Sequence, residues 1–514
     1  MGDNKGNGFS RRDFIKNTAA GVVGVMAVGV LGGCASSSKV KESTWDKETD
    51  VLIVGGGGTG LAAAVEAAAA GASVLILEKT EKAGGSTGLS GGVMQAAGTE
   101  VQKQLSSYKD DTPEKHYQLW LKAAEGYADE NLIKDLAYGA PDHINWLTQL
   151  GLKFTSIYGH CHIPYVDSSL MADRIHVYEG GGAGGGGVIL INKLLEAAQG
   201  KGAKIEYKIE ATKLLTDDNG EVSGVEAKQD GKNLRIKAHK GVILATASID
   251  MNKEMAKELS PQQYWDIDSQ TCVISPTNTG DGIRMGMELG AAVCGFGGTI
   301  DFCGKTGAAT DNRNPVFPSF IVNKAGRRFV CEDATYAYHY RAIFQQEKQL
   351  NGPTYMIFGK SSLIKGAPWT EESVAKDVAS GAVFTADTIE ELAAKIGVEA
   401  ANLKAALEQW NNDVNTFKAD KQFGRLTGLA AITGPFYAYK NVSYNLGSLG
   451  GLKINTDTQV LDAKGEPIPR LYAGGLNAGG WLGPYYPGSG TAIIGTIHWG
   501  RKAGANAAKL ESLA

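Results

Sequence analysis

The sequence contains little cysteine, and none of it has the spacing that holds a redox cluster. Only six cysteines occur among 514 residues, and no Cys-x-x-Cys or Cys-x-x-Cys-His is present. This absence excludes a c-type haem attachment site and gives no indication of an iron–sulfur framework. The segment Gly159-His160-Cys161-His162 is interpreted as a loop, because no further ligands follow it at metal-binding spacing. We therefore expect no metal site.

A dominant charge is also absent. The formal net charge is −4, and no basic stripe with interleaved aromatic residues occurs, so nothing indicates a nucleic-acid partner. Hydrophobic residues make up 43% of the chain, an ordinary share that allows a sizeable core. The length favours more than one domain, or one large domain with an insertion.

The apolar run near the N-terminus is too short to span a bilayer. It covers residues 19–31 and follows Ser10-Arg11-Arg12-Asp13-Phe14-Ile15-Lys16, which matches the twin-arginine export signal. It ends in Leu31-Gly32-Gly33-Cys34, which resembles a lipoprotein cleavage box. We expect residues 1–40 to be an export signal and linker. The protein is then exported by the twin-arginine route and anchored through lipidated Cys34 on the extracytoplasmic side of the membrane.

Glycine is the residue that the sequence has in excess. Its 69 glycines are nearly twice the average share of roughly 7%, and glycine lets a backbone approach a ligand closely. The first cluster belongs to an ordered series: a strand at 49–54, Gly55-Gly56-Gly57-Gly58-Thr59-Gly60, a helix at 61–70, a strand at 73–77 and Glu78. This pattern is typical of dinucleotide binding, because the glycines admit a pyrophosphate, the helix N-terminus stabilises its charge, and the acid accepts hydrogen bonds from a ribose.

A second glycine-rich loop follows Glu78. Ala83-Gly84-Gly85-Ser86-Thr87 with Ser90-Gly91-Gly92 resembles the second phosphate-and-flavin loop of the fumarate reductase and succinate dehydrogenase superfamily. Later segments resemble the remaining cofactor segments of that superfamily, namely residues 241–246, 279–282 and 450–475. The resemblance implies FAD. Neither His nor Cys adjoins Ser86, so we expect the FAD to be noncovalent.

The residues expected to bind FAD follow from this resemblance. They are Gly55, Gly57, Gly58, Thr59, Gly60, Glu78, Lys79, Gly84, Gly85, Ser86, Thr87, Ser90, Gly91, Gly92, Ala211, Asp281, Gly475, Gly490, Thr491, Ala492 and Ile493. Two departures stand out: Ala247-Ser248 replaces the usual Gly-Gly, and Leu476 stands where relatives often have Glu.

The resemblance also implies an α/β fold with a Rossmann-like FAD-binding domain that is discontinuous, at residues 46–285 and 440–510. An α+β cap at 286–439 is inserted between the two parts and covers the substrate. In the cap, Asp387-Thr388-Ile389-Glu390 predicts the start of a helix. The helical spacing of Leu403, Leu407, Trp410 and Val414 predicts that these four residues belong to the core.

The stretch from Leu471 to Gly500 contains neither Arg nor Lys. In fumarate reductases an arginine of this region binds the substrate dicarboxylate, and another follows a Glu by four positions. Here Tyr336 stands four positions after Glu332. Glu332 with Tyr336, and Tyr486-Pro487-Gly488-Ser489-Gly490, resemble the two motifs of the 3-ketosteroid dehydrogenase branch, with Ser489 in place of a proline.

This resemblance implies a reaction on a hydrophobic ketone or enone. Hydride passes between the flavin N5 and the β-carbon, and Tyr336 exchanges a proton with the α-carbon. Tyr486 and the Gly490 N–H hold the carbonyl oxygen, where enolate-like charge develops. The absence of haem or iron–sulfur ligands implies a separate redox partner that carries the electrons.

Several alternatives remain open from the sequence. One alternative is that Tyr336 only packs under the cap, and another is that Tyr486 is only an aromatic residue of a turn. In a third, Tyr485 and not Tyr486 holds the carbonyl oxygen. Tyr158 and Tyr165 are candidates for a further phenol in the site. A second function is reduction of another activated alkene, such as a fumarate-like carboxylate. A third is a lipoprotein that binds a hydrophobic ligand or relays electrons without turnover.

Overall fold

The computed structural model describes residues 45–159, 162–182, 185–269, 271–303, 317–484 and 486–513. The expected export signal, Cys34 and Tyr485 lie outside the described residues. Within those residues, none of the helices combines the length and the apolar character that a membrane span requires.

The strands alternate with helices along the described chain. They are β1 (Lys47–Val54), β2 (Val74–Glu78), β3 (Met94–Gln95), β4 (Phe154–Tyr158), β5 (Ile175–Tyr178), β6 (Lys204–Tyr207), β7 (Glu210–Thr216), β8 (Val222–Gln229), β9 (Lys232–Leu244), β10 (Thr271–Cys272), β11 (Val293–Cys294), β12 (Thr299–Cys303), β13 (Phe320–Val322), β14 (Tyr355–Gly359), β15 (Val383–Ala386), β16 (Phe436–Lys440), β17 (Ser443–Ser448), β18 (Gly451–Lys453), β19 (Gln459–Leu461), β20 (Pro467–Ala473) and β21 (Ala478–Gly479).

The α-helices are α1 (Gly58–Ala69), α2 (Gly85–Leu89), α3 (Glu100–Leu105), α4 (Pro113–Ala123), α5 (Glu130–Gln149), α6 (Gly187–Gly200), α7 (Lys253–Leu259), α8 (Pro261–Ser269), α9 (Asp281–Glu288), α10 (Tyr336–Leu350), α11 (Glu371–Ala379), α12 (Ile389–Ile396), α13 (Ala400–Asn412) and α14 (Thr491–Lys509). Short helical turns occur at Ser168–Leu170, Lys360–Ser362, Asp413–Phe417 and Gly475–Asn477.

The main sheet has the strand order β19-β20-β9-β1-β2-β6, and β7 and β8 extend from β9. The pairs β20–β9, β9–β1, β1–β2 and β2–β6 are parallel. Strand β1 is buried from Val51 to Val54, which is typical of a parallel strand with helices on both faces. The predicted α/β fold is confirmed.

The first helix begins at Gly58, three residues before the predicted start. The reason is local, since Leu61 N–H donates to the carbonyl of Gly57 at 3.0 Å, so the end of the glycine turn already has helical geometry. The last helix, α14, lies directly against α1. A Cβ at Gly500 would lie 2.5 Å from the carbonyl oxygen of Thr59, and one at Gly504 would lie 2.1 Å from that of Ala63. Only glycine permits so close a contact.

A second antiparallel sheet, β13-β14-β16-β15, carries helices α10 to α13. The predicted helix start is confirmed: α12 begins at Ile389, and Thr388 with Glu391 forms a capping box. Leu403, Leu407 and Trp410 are buried in the core of this sheet and its helices, as predicted from their spacing, together with Val414. The domain limits at 286 and 439 stay a prediction.

Candidate active site

A cavity of about 810 Å³ opens where β1 and β2 end. Many residues predicted to bind the cofactor line it, namely Gly55, Gly57, Gly58, Thr59, Glu78, Lys79, Gly84, Gly85, Ser86, Thr87, Ala211 and Asp281. The carboxyl ends of parallel strands, at a glycine turn that leads into a helix, are where this architecture binds dinucleotides.

The glycine turn leaves room for a ligand at Gly57. A Cβ at Gly57 would have only the carbonyl oxygen of Gly84, 3.9 Å away, as a neighbour, and its φ of −78° suits any residue. Neither packing nor backbone strain therefore requires glycine here, although glycine is what a closely bound pyrophosphate requires.

Other predicted cofactor residues lie outside the cavity wall. They are Gly60, Ser90, Gly91, Gly92, Gly475, Gly490, Thr491, Ala492 and Ile493. A Cβ at Gly60 would lie 1.9 Å from the carbonyl oxygen of Gly55, and one at Gly92 would lie 1.9 Å from the hydroxyl of Tyr178. These two glycines are required by protein packing around the cavity.

Charged side chains form hydrogen bonds that stabilise the wall of the cavity. Glu78 accepts hydrogen bonds from the N–H groups of Gly56 and Thr80, both at 2.8 Å, so the predicted ribose-binding acid also fixes the glycine turn. Lys79 donates to Asp281 at 2.6 Å and joins the end of β2 to the later predicted cofactor segment at 279–282.

A third segment of the cavity wall, Ser275 to Asn278, was not predicted from the sequence. The hydroxyl of Ser86 accepts hydrogen bonds from the Ser275 N–H at 3.1 Å and from the Asn278 amide at 2.9 Å. No glycine pattern marks this segment. Ala247, which stands where relatives have glycine, has a φ of 62° and keeps the left-handed conformation at a cost of about 1 kcal/mol.

The Tyr486 turn leads directly into α14. Gly490 has a φ of 93° and precedes the helix, and a Cβ on it would lie 2.8 Å from the backbone of Met94. Tyr486 is buried, and its hydroxyl oxygen accepts a hydrogen bond from the Ala492 N–H at 2.9 Å. The phenol oxygen thus sits at a helix N-terminus, which stabilises negative charge and makes the phenol a better donor.

Tyr336 is the first residue of α10 and is buried. Its ring centre lies 5.9 Å from that of Tyr486, with an angle of 43° between the planes. The Ser489 hydroxyl lies 3.5 Å from the Tyr336 hydroxyl. The two motifs that the sequence analysis singled out, which are 150 positions apart, therefore meet.

A buried carboxylate fixes the segment before Tyr336. Asp333 lies 2.7 Å from His162 Nδ1 and 3.2 Å from Cys331 Sγ, and its second oxygen accepts from the N–H groups of Leu426 and Thr427. Burial opposes the effect, but the hydrogen bond from His162 lowers the pKa of Asp333 below its usual range. The ligand atoms of His162, Cys331 and Asp333 are close enough to share a metal ion. The hydrogen bonds account for their proximity, and the absence of a metal stays a prediction.

Arginines beside the tyrosine segments are bound to other groups of the protein. Arg328 forms paired hydrogen bonds with Glu332 and with Asp420. Arg425 donates to the backbone carbonyls of residues 317, 319 and 427, and Arg174 pairs with Asp111. All three side chains are buried. A substrate carboxylate would have to compete with these partners.

Gln95 holds the backbone of the Tyr486 turn. Its side-chain amide donates to the carbonyl of Ser489 at 3.1 Å, and its N–H donates to the carbonyl of Gly490 at 3.3 Å. His116 Nε2 lies 3.1 Å from Gln95 Oε1. Both side chains are buried, and burial lowers the pKa of His116 well below its usual range, so this imidazole is neutral.

One turn after Tyr336, Tyr340 donates to Asp266 at 2.5 Å. Asn445 donates to the other oxygen of Asp266 at 3.0 Å, and Asp301 is fully buried nearby. Burial raises the pKa of Asp266 to about 7 and raises that of Asp301 well above its usual range. Cys272 and Asp250 complete the titratable groups around this pair.

The candidates for a third phenol lie apart from one another. Tyr165 is 48% exposed and packs beside Tyr338, with ring centres 6.2 Å apart. Tyr158 packs against the small cluster of Val93, Ile175 and Val177. Tyr485 lies outside the described residues.

Comparisons with known proteins identify the family of the chain. The family described as FAD binding domain matches residues 50–493. Digoxin reductase from Eggerthella lenta is 32% identical over 561 residues, covering 98% of this chain and 98% of the relative. Urocanate reductase from the same organism is 32% identical over 526 residues, covering 96% of this chain and 82% of the relative.

A solved structure is similar over nearly the whole chain. It is 3-ketosteroid-Δ4-(5α)-dehydrogenase from Rhodococcus jostii RHA1 in complex with 4-androstene-3,17-dione, with a TM-score of 0.78 and 30% identity over 92% of this chain and 99% of that chain. The cofactor of the cavity is FAD. The residues present fit it, because the turn at Gly57 is open and Glu78 lies on the wall.

Proposed function

The chain belongs to the FAD-binding family of oxidoreductases that act on carbon–carbon single and double bonds, and from this premise we propose that it interconverts a neutral ketone and its α,β-unsaturated form. The substrate class is a hydrophobic ketone similar to a 3-ketosteroid. The proposal rests on one observation: the ring centres of Tyr336 and Tyr486 lie 5.9 Å apart. Gly490 belongs to the same turn as Tyr486.

The charges around the site favour a neutral substrate. Arg328, Arg425 and Arg174 are buried and bound to carboxylates or carbonyls of the protein. Freeing Arg328 or Arg174 for a substrate carboxylate would leave a buried carboxylate of the protein without its partner, which costs several kcal/mol. Freeing Arg425 would leave buried backbone carbonyls unpaired. A ketone requires only hydrogen-bond donors at its oxygen.

The residues divide the reaction between them. FAD, when bound, exchanges a hydride with the β-carbon. Tyr336 delivers a proton to the α-carbon during reduction and removes it during dehydrogenation. Tyr486 and the Gly490 N–H donate hydrogen bonds to the carbonyl oxygen, which becomes enolate-like as the α-carbon changes its bonding. Reduction adds one hydride and one proton, and an external carrier supplies the two electrons.

The helix N-terminus supports this assignment of Tyr486. Because the Ala492 N–H donates to the phenol oxygen at 2.9 Å, the phenol O–H is polarised and donates more strongly to a carbonyl. Tyr336 is the first residue of its own helix, so its position is fixed by α10 and not by a loop. Residues on regular elements hold catalytic geometry more closely than loop residues do.

The experiment uses photoreduced, oxygen-free flavoprotein. It is mixed with 4-androstene-3,17-dione, with a saturated 3-ketosteroid, with urocanate and with fumarate, and the oxidised flavin spectrum is recorded. We expect the steroid enone to restore that spectrum much faster than the two carboxylates. Faster oxidation by urocanate or fumarate would overturn the neutral-ketone assignment. The saturated ketosteroid has no carbon–carbon double bond to accept the hydride and is the negative control. Oxidation by none of the three alkenes would contradict reduction of carbon–carbon double bonds by this protein.

The protein's location is a separate part of the proposal. We propose twin-arginine export of the folded flavoprotein, anchoring through Cys34 and electron exchange with a separate carrier outside the cytoplasm. The support is the order of motifs in residues 1–40. Arg11→Lys with Arg12→Lys should leave the protein in the cytoplasm, and Cys34→Ala should abolish fatty-acid labelling. Export of the double lysine variant would contradict the route.

A further inference from the structure

Gln95 forms hydrogen bonds with the Tyr486 turn, although the two are far apart in the sequence. Its amide nitrogen donates to the Ser489 carbonyl at 3.1 Å, and its backbone N–H donates to the Gly490 carbonyl at 3.3 Å. Two consecutive carbonyls of the turn are therefore held by one buried residue. Other hydrogen bonds hold the turn at the Gly488 carbonyl and the Tyr486 hydroxyl, and Gln95 orients the two peptide planes that carry the Ser489 and Gly490 carbonyls.

The hydrogen bond from Gln95 to the Ser489 carbonyl determines the direction of the Gly490 N–H. The Ser489–Gly490 peptide is trans, and in a planar trans peptide the C=O and the N–H point in opposite directions. Because the C=O of Ser489 points to Gln95, the N–H of Gly490 points away from Gln95. A hydrogen bond to the C=O also polarises the peptide and strengthens its N–H as a donor.

His116 fixes which end of the Gln95 amide faces the turn. The Ser489 carbonyl only accepts, so the nitrogen of the amide must face it and Oε1 must face His116. His116 Nε2, at 3.1 Å, therefore carries the proton and donates. The imidazole is held by Trp120, whose ring centre lies 3.8 Å away. An amide flip would place two acceptors, Oε1 and the Ser489 carbonyl, against each other.

We propose that Gln95, oriented by His116, is a positioning residue that aims the Gly490 N–H at the carbonyl oxygen of the substrate. The inference rests on the proposed function, since it assigns a support to the donor pair of Tyr486 and Gly490. Gln95 acts through the backbone of the turn and not on the substrate itself.

The variants are Gln95→Met, which keeps the length but loses the donor, and Gln95→Glu, which turns the donor into an acceptor. Gln102→Met is the matched control, because Gln102 is equally buried and its side chain also joins separate segments: it donates to Asp111 and to the carbonyl of Asp173 and accepts from the Gly98 N–H. Each holoenzyme is assayed for FAD content, kcat and KM with 4-androstene-3,17-dione. The infrared stretch of its labelled C3 carbonyl is also measured in the complex.

We expect both Gln95 variants to retain FAD and to lose about 10- to 100-fold in kcat, somewhat less than deletion of a whole oxyanion donor. The carbonyl stretch should move toward its value in water-free solution, since one donor is misaligned. Gln102→Met should leave the stretch as in the parent. An unchanged stretch and kcat in the Gln95 variants would overturn this inference while the parent still turns over the ketone. If the parent neither binds nor reduces it, the proposed function itself fails.

Discussion

The ring centres of Tyr336 and Tyr486 lie 5.9 Å apart. Tyr336 begins α10, and Tyr486 precedes α14. Their hydroxyls have different surroundings. The Tyr486 oxygen accepts from the Ala492 N–H, and the Tyr336 oxygen lies 3.5 Å from the Ser489 hydroxyl. The two phenols can therefore have different roles in the proposed reaction. Tyr486 donates to the carbonyl oxygen of the substrate, and Tyr336 exchanges a proton with its α-carbon.

Tyr336→Phe should slow turnover and leave binding nearly unchanged. The substitution removes only the proton-carrying hydroxyl, and general acid–base catalysis is worth about 10²- to 10⁴-fold. We expect kcat to fall within that range and KM to stay within about twofold. Steady-state rates with a chemically reduced electron donor measure both quantities. Tyr338→Phe, on the same helix, is the control and should keep the parental rate; equal rates for all three proteins would exclude Tyr336 from the reaction.

Tyr486→Phe should affect both rate and affinity. The hydroxyl donates to the ketone in the ground state as well as to the developing enolate, so kcat should fall by about 10²- to 10³-fold and KM should rise. The Ala492 N–H loses its acceptor, which lowers the free energy of unfolding by about 1 kcal/mol. Stopped-flow reoxidation and thermal unfolding measure these effects. A variant with lower stability but parental kinetics would show that Tyr486 only supports the turn.

Gly57→Val should give a folded protein without FAD. A Cβ at Gly57 is 3.9 Å from its nearest protein neighbour, so the apoprotein accommodates the side chain, which fills the space of the pyrophosphate. Gly60→Ala is the contrasting variant, because its Cβ would lie 1.9 Å from the carbonyl oxygen of Gly55. We expect that variant to misfold. Circular dichroism and flavin absorbance separate the two outcomes, and FAD bound by Gly57→Val at parental occupancy would contradict the assignment of this turn.

The same measurement tests noncovalent binding. Acid precipitation of the parent should release the yellow cofactor into the supernatant, since no His or Cys adjoins Ser86. Flavin that stays with the precipitated protein would contradict the prediction.

Asp266→Asn should change how stability depends on pH. The pKa of Asp266 is raised by burial to about 7, against about 3.9 in an unfolded chain. Between these values the folded chain retains a proton that the unfolded chain releases, so this group's contribution to stability is lost as pH rises through that window. Asn imitates the protonated acid and does not titrate. The stability of the variant relative to the parent should therefore increase from pH 4.5 to pH 7.5.

Thermal unfolding at several pH values measures this difference. Asp268→Asn, on the same helix but 52% exposed, is the control and should differ from the parent by nearly the same amount at each pH. A constant difference for Asp266→Asn would show that the Asp266 carboxyl is not protonated in the folded protein near neutrality.

The parts of the fold that could be predicted from the sequence depend on local spacing. The strand, glycine turn, helix and acid at residues 49–78 lie within 30 positions, and the capping box at Thr388 within four. The two tyrosines were found through short motifs. Gln95 has no such motif. Its contact with Ser489 spans 394 positions, and only the packing of β3 against the turn before α14 brings the two together.

The sequence pattern does not show why glycine is required at each position. Gly57 and Gly60 belong to one motif, yet one is free to take a Cβ and the other is blocked by the backbone of Gly55. The sequence pattern assigns both to the cofactor, since it records spacing and not the direction in which each Cα faces. The structure separates a glycine that a ligand requires from one that the helix and strand require.

The close contact of α14 with α1 has a consequence for synthesis. The glycine turn and the first helix are translated long before β20 and α14, which pair with and pack on that half. The flavin site therefore stays incomplete until α14 is translated, because Thr496 of that helix lines the cavity, and a stop codon before residue 491 should yield a protein that does not retain FAD. Flavin availability therefore acts on the chain only after α14 has been made.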